Sequence, residues 1–68
     1  MLVHIPDFTM PEIVYIKHLA NFTAREELLF DLRNEGISLE MCAERMNYSV
    51  STIKRINKKM IDKIIRII

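Results

Sequence analysis

ISLEMCAERMNYSVSTIKRI, residues 37–56, decides how this chain folds. It reads as two short helices joined by a tight turn. Ala43 falls midway along the first, where a larger side chain would hold the second helix away. Asn47 falls at the turn, and asparagine tolerates the left-handed backbone better than any residue except glycine. Cys42, Met46, Tyr48, Ile53 and Ile56 are spaced so that both helices bury one face against a common core. The second helix keeps hydroxyls and bases on the face its apolar residues leave free.

That layout is a helix-turn-helix, and it makes DNA the first partner to consider. Placed at 100° per residue, Ile53, Ile56, Met60, Ile64 and Ile67 cluster within about 80°, while Ser51, Lys54, Arg55, Lys58, Asp62 and Arg66 lie opposite. Ser49, Ser51, Thr52 and Arg55 are short or forked donors suited to base edges and nearby phosphates. Lys54, Lys58 and Lys59 are placed to clamp phosphates. Asn57 lies nearer the apolar face, which favours a packing role over adenine readout.

Working outward, the pattern predicts an all-α, four-helix domain with an extended C-terminal recognition helix. Thr9 with Glu12, and Thr23 with Glu26, are capping boxes, and Pro11 is tolerated in a first turn. The first helix runs from about Met10 to Ala20 and turns Ile13, Ile16, Lys17 and Ala20 to one side. The second carries Leu28, Leu29 and Leu32 inward and ends near Glu35, with Gly36 as a left-handed cap. Ser38 caps the third helix, and Ser49 or Ser51 caps the fourth. Nothing breaks a helix after Val50, so the fourth extends about 27 Å at 1.5 Å per residue. Residues 1–21 form an N-terminal segment and helix, and residues 22–68 the helix-turn-helix core, within one compact domain. Residues 1–8 are expected to be loosely held.

With 68 residues the chain buries only about 60% of its unfolded surface, so isolated stability is marginal and association is a live expectation. Its net charge of +1 conceals an asymmetry. Up to Gly36 three bases stand against six acids, a balance of −3; from Ile37 onward seven bases stand against three acids, a balance of +4. A charge run by itself reads as a solvated face. Here the excess coincides with the proposed recognition helix, and phosphate affinity follows the local field and counterion release.

Catalytic readings fail on spacing. His4 and His18 have no second ligand or nucleophile at helical spacing, and Glu26 and Glu27 diverge around their helix. The methionines suit core filling, and the single Cys42 suits burial, with neither disulfide framework nor zinc spacing. No catalytic residue, metal ligand or cofactor is expected. Apolar runs are far short of the roughly 20 residues a membrane span needs, and no secretory pattern opens the chain, so the cytoplasm is the expected compartment.

From Phe22 to Ile64, 43 of the 68 residues, the chain resembles the helix-turn-helix of LuxR-type response regulators and of the sigma factor region that reads the promoter −35 element, sigma region 4. The capped T-x-R-E opening of both is matched by Thr23, Arg25 and Glu26, and the glycine and serine that begin the motif by Gly36 and Ser38. The E-I-A-x-x-L core corresponds to Glu40, Met41, Cys42, Ala43 and Met46. The S-x-x-T-V-K start of the recognition helix corresponds to Ser49, Thr52, Ile53 and Lys54, and the later K-L to Lys63 and Ile64. The resemblance implies that Ser38, Ser51, Thr52, Lys54 and Arg55 lie at a DNA surface.

LuxR-type domains add a dimerising helix after the K-L, whereas here Ile65, Arg66, Ile67 and Ile68 follow, which makes the sigma region the nearer relative. There is no room for a −10 melting domain, so the chain resembles a small stand-alone regulator of a bacterial or phage operon. These readings imply a nucleoid-associated, sequence-specific binder of double-stranded DNA. The rivals are a module that docks on RNA polymerase or another regulator, and the DNA-recognition subunit of a packaging or recombination machine. One helix-turn-helix reads only a half-site, so a homodimer is expected. Ile61, Ile65 and Ile68 on the fourth helix, with Ile13, Val14, Tyr15 and Leu19 on the first, are its candidate interface. The competing arrangement folds the first helix back over the tail within one protomer.

Overall fold

The computed structural model describes residues 8–68. Among them the chain forms four helices and no strand: α1 (Met10–Leu19), α2 (Ala24–Asn34), α3 (Leu39–Met46) and α4 (Val50–Ile67). Each begins on a hydroxyl. Thr9 and Thr23 form complete capping boxes with Glu12 and Glu26, while Ser38 and Ser49 accept hydrogen bonds from the Met41 and Thr52 amides. Ser51 lies inside α4, so Ser49 is the cap.

α2 and α3 end in the same way with different residues. Gly36 takes a φ of +83°; its N–H donates to the Arg33 carbonyl at 2.9 Å, and the Ile37 N–H to that of Leu32 at 3.2 Å. Asn47 takes a φ of +61°, with its N–H on the Glu44 carbonyl at 3.3 Å and the Tyr48 N–H on that of Ala43 at 2.9 Å. Both satisfy the final carbonyls through a left-handed residue, and only glycine or asparagine does so with little strain. The Arg33 guanidinium ties down the first of these turns by donating to the Ile37 carbonyl at 2.7 Å.

One core serves all four helices. Ile16 and Ala20 enter from α1 and its cap, Leu29 and Phe30 from α2, Cys42 and Ala43 from α3, and Ile53, Ile56, Met60 and Ile64 from α4. α4 is the spine against which α1, α2 and α3 all pack. Its length matches the 29 Å long axis of the molecule. Phe30 meets Phe22 with ring centroids 5.2 Å apart. α1 is held to α2 by the Lys17 ammonium, 2.9 Å from Asp31. That hydrogen bond raises the Lys17 pKa above its ordinary value despite partial burial.

Three expectations need correction or restriction. Leu28 faces solvent, and Phe30 takes the inward place instead, because α2 buries Glu26, Leu29 and Phe30. Ile13 and Ile61 are half-buried against the core, so neither belongs to a free apolar stripe. Phe8 likewise packs on the core, whereas the expected looseness of residues 1–7, and His4 with them, lies outside the described residues. No described helix is long and apolar enough to cross a membrane.

Candidate nucleic-acid interface

The α3–α4 crossing is set by two residues. Ala43, 3% exposed, lets the helices approach, and the αL conformation of Asn47 reverses the chain within a short turn. Cys42 fills the adjoining space; burial pushes its thiol pKa up, against the opposing pull of Arg33 and Arg45. α4 then leaves the turn with its apolar stripe inward, and its remaining side chains face outward.

The outward face of α4 carries Ser51, Lys54, Arg55, Lys58, Lys59, Asp62 and Arg66, all exposed. The ion pairs among the described residues join Lys17 to Glu27 and Asp31, and Lys63 to Glu26. None involves Lys54, Arg55, Lys58 or Lys59. Four cationic groups within two turns therefore stand without an acidic partner among the described residues. Ser49 is exposed, but its hydroxyl bonds to the Thr52 hydroxyl at 3.0 Å and accepts the Thr52 N–H at 3.2 Å. Thr52 is half-buried, so this pair is partly committed to capping. Ser38, exposed at the start of α3, is likewise occupied by the Met41 amide at 3.2 Å. Asn57 sits at the margin of the core face with its Oδ1 buried and unpartnered.

Two tertiary contacts near this face were invisible to sequence spacing. The Lys63 ammonium lies 2.5 Å from Glu26 Oε1 and 3.1 Å from the Asn21 carbonyl. It thereby fastens α4 to the α1–α2 connection, where Asn21 is itself left-handed at a φ of 55°. Burial alone would push the Glu26 carboxyl upward; the Lys63 hydrogen bond and the Thr23 amide outweigh it and hold the pKa below 4.5. The second contact places the Arg25 guanidinium over the Tyr48 ring, 5.6 Å from its centroid. The first turn of α2 thus meets the α3–α4 turn.

Between α2 and the outer flank of α4 lies an open groove of about 570 Å³, lined by Thr23, Arg25, Glu26, Ile56, Lys59, Asp62, Lys63 and Arg66. Val14, Tyr15 and Leu19 of α1, and Ile65 and Ile68 at the end of α4, are also exposed. His18 is exposed among the α1 group. No cluster of His, Cys, Asp or Glu among the described residues is spaced to hold a metal ion. In comparisons with protein-family models, curated proteins and solved structures, no match was found.

Proposed function

We propose that the chain is a sequence-specific, double-stranded DNA-binding transcriptional regulator of a bacterial or phage operon, working in the cytoplasm at the nucleoid. In this reading α3, the Asn47 turn and α4 act as a helix-turn-helix of the sigma region 4 type. The observation that carries it is the row Lys54, Arg55, Lys58 and Lys59, exposed and without acidic partners among the described residues, on a helix whose opposite face is the core. A rigid helix with such a face matches the width and charge of a major groove. Arg55, beside Ser51, is the base reader; Lys54 and Lys58 hold phosphates; Ser38, Ser49 and Thr52 contribute contacts alongside their capping roles.

Fluorescence anisotropy on duplexes selected from a random pool, repeated at several salt concentrations, tests this. Arg55→Ala loses about 1–3 kcal/mol on the selected site and relaxes base preference, whereas Lys58→Ala weakens all duplexes alike and lowers the salt slope by about one. A parent protein with no salt-dependent duplex binding overturns the reading.

The same proposal includes a homodimer. The outward face of α1, with Met10, Val14, Tyr15 and Leu19 exposed, is apolar where a monomer's surface is ordinarily charged. Sedimentation equilibrium at tens of micromolar should give about twice the 8.1 kDa chain mass, falling to one chain for Val14→Glu. A parent that sediments as one chain removes the dimer and leaves a single half-site as the target.

A further inference from the structure

The groove on the flank of α4 has a charge pattern that the recognition face alone does not explain. Its free cations are Arg25, Lys59 and Arg66, because Lys63 is engaged by Glu26 and Asn21. Its acids are Glu26, neutralised by that pairing, and Asp62. Arg25 comes from α2 rather than α4; its guanidinium lies over Tyr48, 5.6 Å from the ring centroid, while the residue stays exposed. An exposed guanidinium that lies over a ring face still has N–H groups free to meet a phosphate.

Azimuth around α4 gives the second half of the argument. At 100° per residue, Lys54 and Lys58 mark one margin of the outward face, while Lys59 and Arg66 mark the other, roughly 100° away. Ser51, Arg55 and Asp62 lie between them. A helix lying in a major groove has a phosphate chain on each side of it, so a face with a cationic margin on both sides matches both strands.

We propose that this groove is the track for one phosphodiester strand: Arg25, Lys59 and Arg66 hold the backbone on one side of α4 while Lys54 and Lys58 hold the opposite strand. This rests on the DNA-binding reading above and deepens it. α2 becomes part of the nucleic-acid surface, reaching it through its first turn.

Arg25→Gln and Arg66→Gln, measured separately by anisotropy across a salt series with the full chain, test the inference. Each should weaken selected and unselected duplexes by a similar factor, about three- to tenfold, and lower the salt slope by about 0.9. Base preference stays as in the parent. Arg25→Lys keeps the charge and retains the slope, and a matched far-UV spectrum and melting curve show that the Tyr48 contact is not merely holding the fold. Ethylation interference should mark phosphates on both strands of the parent complex, with the set facing Arg25 lost in Arg25→Gln. If Lys58→Ala lowers the slope while Arg25→Gln and Arg66→Gln overlay the parent, the DNA reading stands and this inference is overturned. The groove would then be the better fit for an acidic peptide. If the parent binds no duplex, both fall together.

Discussion

α1 and α4 begin alike, each on a hydroxyl cap and each turning one apolar stripe into the shared core, yet their outward faces differ: that of α4 is mostly cationic, with Ile65 exposed near its end, and that of α1 is mostly apolar. α4 presents Lys54, Arg55, Lys58, Lys59 and Arg66 to solvent. α1 presents Met10, Val14, Tyr15 and Leu19. The two charges that α1 does carry are already engaged, Glu12 by the Thr9 cap and Lys17 by Asp31. A charged face is stable in water until a polyanion displaces its counterions, while an apolar face gains by leaving water altogether. The difference teaches that a single small core supports two surfaces of different chemical character.

The sharpest way to break that contrast is on the inner side of α4. Met60 is fully buried, so Met60→Ala should destabilise by about 2–5 kcal/mol, read as a fall in melting temperature. A small effect would mean that α4 is not the spine of the core. Next comes Lys63→Met, which leaves Glu26 buried without its cation. Because Lys63 keeps 27% of its side chain exposed, a discounted loss of about 1–3 kcal/mol is expected. The sign with pH follows from the lowered Glu26 pKa. Stabilisation is complete above the ordinary value of 4.5 and is lost as pH falls through the lower folded value. The parent's melting temperature should therefore drop in that acid window, and Lys63→Met should flatten the drop. The smallest effect belongs to α1: at concentrations where the chain is monomeric, Tyr15→Ala should change stability by no more than about 0.5 kcal/mol. A larger loss would show that the outward face of α1 is covered within the protomer.

The ends of the elements were legible in the sequence because capping is local. Thr9, Thr23, Gly36, Ser38 and Asn47 each act on a backbone group within a few residues, and α4 has the length expected from the absence of any breaker after Val50. The orientation of α2 was not legible. Leu28 and Phe30 sit on either side of Leu29, and which one turns inward depends on the Phe22 ring and on α4, both set by tertiary packing. Glu26 was readable as a cap partner but not as a buried carboxylate, since its cation lies 37 residues along the chain. For the candidate site, the α4 cations were legible from helical periodicity. Arg25 was not, because it reaches that flank through the packing of α2 on α4 and its contact with Tyr48, both set by tertiary structure.

The placement of four core side chains on α4 has a consequence for synthesis. A ribosome delivers α1, α2 and α3 first, each carrying its cap and only part of the interior. Ile16, Leu29, Phe30, Cys42 and Ala43 lack the larger part of their common core until Ile53, Ile56, Met60 and Ile64 emerge behind them, although α2 and α3 also touch directly. The nascent chain therefore passes through a stage with finished helix ends and an open interior. Its apolar groups are then available to chaperones or to neighbouring chains, and that stage ends only when α4 clears the exit tunnel.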